Sequence, residues 1–432
     1  MIGTHIFEEL ESEVRSYCRA FPTVFTRAKG ARLWDESGRQ YLDFFAGAGA
    51  LNYGHNPDNI KRALVDYLLE DQITHSLDMH TAAKAQLMQT LQDVILKPRG
   101  LSYKMMFTGP TGTNAVESAL KLARKIKQRQ NIVYFTNGFH GMTLGSLSVT
   151  GNAMKRKGAG VSLSDTSAMP FCGYHEDEVD TIRVLERFLA DSSSGLDHPA
   201  AFIVETVQAE GGVNVASLSW LKKLAQVAKD HDILLIIDDI QVGCGRTGSF
   251  FSFEAAGLQP DMVCLSKSLS AYGIPLAMVL IKPELDQWQP GEHNGTFRGH
   301  NLAFVTARQA LLDFWQDDTL SRSVQEKSKL AEAALKGFQA ALAPDIPCLV
   351  KGKGLILGLE FADASLPAKI AAACYERGLI IETAGPRDEV LKLLPSLTIE
   401  LTELQAGLGI IGAALEAVTG HKMPAMLSSV QA

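Results

Sequence analysis

The sequence predicts an α/β protein with a mostly parallel central sheet, plus a smaller α+β domain assembled from both termini. Three observations carry this. Short apolar runs alternate with amphipathic helical stretches through the middle of the chain. The runs are nearly continuous in apolar residues, as strands covered on both faces are. The two ends differ, mixing hairpin signals with long helical patterns.

Residues 1–45 read as the first part of the small domain. They hold a helix from Phe7 to Cys18, then a hairpin with turns at Lys29-Gly30 and Ser37-Gly38. Residues 46–310 read as the large domain. There the segment Lys104 to Thr108 leads through Gly109-Pro110-Thr111-Gly112-Thr113 into a helix from Asn114 to Gln128. That helix sets Leu120, Ala123 and Ile126 on one side and Lys121, Arg124 and Lys125 towards the other. Ile132 to Phe135, Ala201 to Val204, Ile233 to Ile237 and Met262 to Leu265 are the apolar runs read as strands. Ser219 to Asp230 alternates Leu221, Leu224, Val227 and Ala228 with Lys222, Lys223 and Lys229, the pattern of a covering helix.

Residues 311–420 return to the small domain, with long helices, a strand from Leu355 to Phe361, and helix and strand again to about Val418. Residues 421–432 have no periodicity and are expected to form a mobile tail. No low-complexity linker and no internal repeat divides the chain.

Composition narrows the class of function. The 432 residues are 46% hydrophobic and 21% charged, which excludes disorder, a collagen-like fibre or a small disulfide scaffold. A net charge of -7, without a basic run, gives no footprint for nucleic acid or an anionic membrane, so a small molecule is the expected partner. The uncharged stretch Gln130 to Met154 is too polar for a membrane span. Met1 to Leu10 contains Glu8 and Glu9 and does not fit a signal peptide. The six cysteines form no Cys-x-x-Cys and read as reduced thiols, so a cytoplasmic location is expected.

In an open parallel sheet, ligands bind beyond the carboxyl ends of the strands. Asp238 and Asp239 follow one strand, and Ser266 and Lys267 another. Asn137-Gly138-Phe139-His140-Gly141 follows a third, and Glu205, Gln208 and Glu210 a fourth. Gly109 to Thr113 opens a helix whose free N–H groups and dipole suit a phosphate. Each feature also has a plain alternative. Thr113 could be an N-cap, Asp238 a salt-bridged carboxylate, Lys267 a surface lysine, Phe139 core and His140 a structural histidine. Their convergence on one rim favours chemistry. A phosphate cradle, a buried acid, an aromatic plane and a lysine amine are what pyridoxal 5'-phosphate needs. Gly243-Cys244-Gly245-Arg246-Thr247-Gly248 fits a dinucleotide-binding pattern, but the aromatic run Ser249 to Phe253 follows it in place of a helix.

With these residues in view, the chain resembles the class III, fold-type I, pyridoxal-phosphate-dependent aminotransferases over about residues 20 to 415. The segments that carry the resemblance are Pro110 to Arg124, Gly138 to Thr143, Asp238 to Gly243 with Gly245 to Gly248, and Ser266 to Ser270. The resemblance implies that Lys267 forms the imine with the cofactor and Asp238 partners its pyridinium nitrogen. It further implies that Gln241 meets the ring hydroxyl, Phe139 stacks on the ring, and Gly112 and Thr113 bind the phosphate. Thr296, in Asn294-Gly295-Thr296-Phe297, is implied to reach the cofactor of a neighbouring subunit, so a homodimer or larger assembly is expected. Glu210 matches a glutamate that gates a substrate-binding arginine in the class.

Two positions depart from the class pattern. Many members have Glu where this chain has Asn114, and many have Arg, for a substrate α-carboxylate, where it has Lys392. Lysine is a point charge and cannot make the bidentate fork of arginine. These departures, with Glu9 to Tyr17, Phe44 to His55, Thr74 to Met79 and Pro290 to Gly299, resemble a narrower group within the class. Its members pass the amino group of L-glutamate to L-aspartate 4-semialdehyde, giving L-2,4-diaminobutyrate and 2-oxoglutarate in ectoine formation. Glu210 and Lys392 are then the expected substrate contacts, and no metal is expected.

Overall fold

A computed structural model of the chain describes residues 2–175 and 179–425. Its centre is a seven-stranded sheet. The order is Lys104–Phe107, Met278–Ile281, Met262–Leu265, Leu234–Asp238, Ala201–Val204, Ile132–Phe135 and Thr166–Met169. Met278–Ile281 runs antiparallel to both neighbours, and every other pairing is parallel. Successive residues of a strand point to opposite faces. Ile132, Tyr134, Ile203, Ile236, Met262 and Cys264 therefore pack on one side against Val116, Ala119, Leu120 and Ala123 of the helix Gly112–Lys127. Val133, Phe135, Phe202, Leu235, Ile237 and Val263 pack on the other, with Trp220, Leu221 and Leu224 of the helix Leu218–Asp230. This two-sided burial is why the strands read as continuous apolar runs.

Both ends of the chain meet in a second core. Phe25–Lys29, Arg32–Asp35 and Gln40–Asp43 form an antiparallel meander, and Leu379–Ile380 joins its edge in parallel. A four-stranded antiparallel sheet follows the order Cys348–Lys353, Ile356–Phe361, Val390–Leu393 and Glu382–Ala384. Leu42 and Phe44 pack with Leu335, Phe338, Leu359, Leu391, Leu408 and Ile411. Gly407 lets the helix Leu401–Thr419 pass close to Phe44, since a Cβ there would lie 2.2 Å from its ring. Among the described residues this is the one helix long and apolar enough to cross a membrane, and it buries Leu404, Leu408, Ile411 and Leu415 in that core.

The structure departs from the sequence reading in places. Phe7 to Cys18 is not one helix but two short ones, His5–Leu10 and Tyr17–Ala20, neither with a buried residue. A helix with no face to pack against has little to sustain it in water. The strand expected from Leu355 begins at Ile356, and the helix expected from Asn114 begins at Gly112. Thr166–Met169 was not foreseen, being a half-exposed edge strand with little apolar signal. Of the expected tail, 426–432 lies outside the described residues. Met423 is buried, and its N–H donates to Glu416 Oε1 at 2.7 Å.

Candidate active site

The carboxyl ends of the strands frame a cavity of about 170 Å³ lined by Gly112, Thr113, Phe139, His140, Gly141, Glu205, Glu210, Asp238, Ile240, Gln241 and Lys267. Topology does the gathering. The order of the parallel strands sets Lys267, Asp238, Glu205 and Phe139 along one rim, although they are far apart in sequence.

Lys267 opens a tight helical turn, Lys267–Ser270, directly after Ser266. Its φ is +50°, a left-handed conformation that costs a non-glycine residue roughly 1–3 kcal/mol unless its surroundings hold it. The flanking serines supply the hold. Ser266 Oγ donates to Leu276 O at 2.8 Å, and Ser268 Oγ donates to Gly49 O at 2.7 Å while accepting from Asn52 N at 3.0 Å. Burial lowers the Lys267 amine below the usual lysine range, against the charge of Glu210 that raises it. A lysine with an amine so depressed gives up its proton readily, as a nucleophile or proton carrier must.

Asp238 ends the strand Leu234–Asp238 and is buried. Its Oδ1 accepts from Ile240 N at 3.2 Å, and its Oδ2 lies 2.7 Å from His140 Nδ1. Burial disfavours the His140 cation, but the Asp238 hydrogen bond and charge outweigh it, so the imidazole is raised above its ordinary range. His140 thus belongs to the cavity wall. Sequence alone left it as a structural histidine, because nothing local pairs it with an aspartate 98 residues away. Glu205 completes the group. Its Oε2 accepts from Phe139 N at 2.9 Å, and burial, with Asp238 adding to it against His140, pushes its carboxyl up to about 8.

Opposite lies the N-terminus of the helix Gly112–Lys127, whose N-cap Thr111 makes no side-chain cap; Asn114 N donates to Thr111 O at 3.0 Å, which leaves the N–H groups of Gly112 and Thr113 for a ligand. The Thr113 hydroxyl is engaged by Thr143 Oγ1 at 2.6 Å and Ser146 Oγ at 2.8 Å, so its contribution is its backbone N–H. Gly141, at φ +129°, lets the loop pass close to this end, since a Cβ there would lie 2.5 Å from Thr113 Oγ1. Gln241 Nε2 donates to Ala48 O at 2.8 Å and Glu210 Oε1 at 3.0 Å, while its buried Oε1 has no partner. An orphaned acceptor, a carboxylate–imidazole pair and an uncapped helix start around one cavity fit pyridoxal phosphate.

Two expected residues stand outside this lining. Lys392 is fully buried behind Glu210, with Nζ 2.8 Å from Glu210 Oε1 and 3.0 Å from Glu382 Oε1. Burial would raise the Glu210 carboxyl, but the charges of Lys392 and Lys267, with hydrogen bonds from Lys392 and Gln241, hold it down to about 2. Thr296 is exposed, and its carbonyl is 2.9 Å from His75 Nε2. Asp239 differs from its neighbour. It faces Ser252, accepting from Ser252 N at 3.1 Å, and burial pushes its carboxyl up to about 7. Glu382 was not singled out from the sequence, where the only signal is a lone acid ending the apolar run Leu379-Ile380-Ile381. Among the described residues no cluster of His, Cys, Asp and Glu suits a metal.

The aminotransferase class-III profile matches residues 15–415. A diaminobutyrate–2-oxoglutarate transaminase of Halalkalibacterium halodurans is 56% identical over 97% of this chain and 97% of its own. One of Nocardia farcinica is 57% identical over 98% of each. A solved structure of the ornithine aminotransferase from Toxoplasma gondii, with pyridoxal phosphate partly occupying its active site, superposes with a TM-score of 0.83 at 26% identity, covering 96% of this chain and 94% of that one.

Proposed function

The chain belongs to the class III aminotransferases, and from that premise we infer that it transfers the amino group of L-glutamate to L-aspartate 4-semialdehyde, giving 2-oxoglutarate and L-2,4-diaminobutyrate, reversibly. The observation that carries this is the likeness, at 56–57% identity along nearly the whole chain, to transaminases of that name. Its cofactor is pyridoxal 5'-phosphate. When bound, the cofactor takes up the amino group and spreads the electron pair left on the substrate carbon.

The chain's own residues divide the remaining work. Lys267 is assigned the cofactor linkage and, once freed, moves a proton at Nζ, a task its lowered amine suits. Asp238, braced by His140, holds negative charge against the pyridine nitrogen and favours its protonated form. Phe139 fixes the ring plane from one side, and the Lys155 ammonium lies 4.4 Å from the Phe139 ring centroid. Gly112 and Thr113 offer N–H groups to the phosphate, and Gln241 faces the ring hydroxyl.

The two amino substrates differ in where their α-carboxylate lies. Glutamate reacts beside it, whereas diaminobutyrate reacts at the far end of its chain. We assign Glu210 and Lys392 to this discrimination. Paired with Lys392, Glu210 shields the cation from a substrate carboxylate. Withdrawn, it exposes the cation to glutamate. Thr296 is assigned to a partner subunit's phosphate site, making the active unit at least a homodimer. A cytoplasmic location and a place in ectoine formation belong to the same proposal. Loss of ectoine from a strain lacking this chain would support that place.

The test is a substrate panel on the purified holoenzyme with product identification. Diaminobutyrate with 2-oxoglutarate should give the highest kcat/KM. A higher value for ornithine or 4-aminobutyrate would assign the chain to another ω-aminotransferase of the class.

A further inference from the structure

Lys392 has two carboxylates, and they are tethered differently. Glu210 sits in the turn between Val207–Gln208 and Asn214–Val215, lines the cavity, and is shared with Gln241. Glu382 lines none of the cavity. It projects from the strand Glu382–Ala384 at the register position opposite Lys392, fixed by the sheet, with Oε1 3.0 Å from Nζ. One carboxylate is carried by a turn, the other by a strand paired directly with that of Lys392.

We propose that Glu382 is a specificity-determining residue of the glutamate half-reaction: the fixed counter-ion that keeps Lys392 a cation while Glu210 withdraws and a substrate carboxylate replaces it. The proposal rests on the assignment of Glu210 and Lys392 above.

The physical need follows from the residue type. A guanidinium stays charged wherever it is buried, whereas a buried lysine readily gives up its proton. Burial pulls the Lys392 ammonium down, and Glu210 and Glu382 together more than reverse this. With neither carboxylate, burial would prevail and a neutral amine would hold no carboxylate. With Glu382 in place, the cation survives the exchange. Glu382 responds in the useful direction. Burial pushes its carboxyl up to about 7, Lys392 opposes this, and the Glu210 charge adds to it. Withdrawal of Glu210 removes that last contribution, so Glu382 ionises more readily when Lys392 depends on it. The other groups whose charge reaches this trio are Lys267, from the turn after Met262–Leu265, and Tyr17, from the short helix Tyr17–Ala20. Neither replaces Glu382, since a lysine carries no negative charge in either protonation state and burial raises the Tyr17 phenol to about 12.

The experiment measures glutarate binding to the holoenzyme by calorimetry, glutarate being a dicarboxylate with no reacting amine, alongside glutamate half-reaction kinetics. Glu382→Gln should weaken glutarate by about tenfold or more and raise the KM for glutamate more than it lowers kcat. Its affinity should fall further as pH rises from about 7 to 9, because an unsupported lysine deprotonates on that side, while the wild type stays flat. Adding Lys392→Arg should restore binding, since arginine needs no counter-ion. Unchanged glutarate affinity in Glu382→Gln would overturn the proposal. So would a pH profile in Glu382→Gln as flat as that of the wild type, which can be read even if the arginine is too large for the site. A wild type that binds no glutarate would instead overturn the assignment of Glu210 and Lys392 on which this rests.

Discussion

His140 Nδ1 lies 2.7 Å from Asp238 Oδ2, and both side chains are almost sealed from solvent. The bond joins the loop after one strand to the end of another, so it positions the carboxylate as well as charging it. Asp238→Asn keeps the size of the group and removes its charge. It should slow transamination by at least about a hundredfold, the scale of a charge-assisted contact worth roughly 3 kcal/mol. Cofactor should remain, since the phosphate contacts are untouched. Stopped-flow half-reactions would measure this, and near-normal turnover would return Asp238 to a structural role.

Glu205 offers a pH test. Burial raises its carboxyl to about 8, so the folded chain binds a proton that the unfolded chain has lost above the ordinary carboxylate range. Stability from this group is therefore greatest below about pH 4.5, declines as pH rises, and levels off above about 8. Glu205→Gln keeps an acceptor for Phe139 N–H and cannot ionise. Its Tm should fall less between pH 5.5 and 8 than that of the wild type. Parallel Tm profiles would place the ionisation elsewhere.

Lys267→Ala should abolish turnover by removing the one lysine that, among the described residues, lines the cavity. Borohydride reduction followed by peptide mapping should find the pyridoxyl group on Lys267 in the wild type and nowhere in the variant. A label on another lysine would move the linkage.

Thr296 is exposed on this chain and lies apart from the cavity lining. If a second copy brings it to the phosphate end, Thr296→Ala should weaken cofactor affinity, and activity should follow dimer concentration on dilution. A fully active monomer in sedimentation at assay concentration would contradict this.

What the sequence disclosed follows from the range of the forces involved. Lys267, Asp238 and Phe139 were legible because each follows an apolar strand, and a parallel sheet gathers strand ends on one rim. That a helix follows the Gly109 to Thr113 segment was legible from its local spacing, although it begins at Gly112 rather than at Asn114. The bond of His140 to Asp238 was not, since it joins residues brought together only by strand order. Glu382 was missed for a similar reason. Its meaning lies in the register that sets it opposite Lys392, and no local pattern encodes register between strands.

The Lys392 cluster gives a final prediction, on stability. Its ammonium is wholly buried between the half-buried carboxylate of Glu210 and the buried carboxylate of Glu382. Removing one partner of a buried pair leaves uncompensated charge, typically a loss of about 3–5 kcal/mol. Lys392→Met should therefore destabilise the chain as well as weaken glutamate recognition. Without the lysine, burial prevails at Glu210, whose carboxyl rises from its depressed value, and Glu382 rises further. Both would then hold protons in the folded state that the unfolded chain has released. The variant's stability should fall as pH climbs above the ordinary carboxylate range, more steeply than in the wild type. Adding Glu210→Gln removes one of the stranded acids and should recover part of the lost Tm. Thermal melts of the three proteins across pH 5 to 8.5 would measure this, and a Lys392→Met variant as stable as the wild type at every pH would show that the ammonium is not what holds the two carboxylates together.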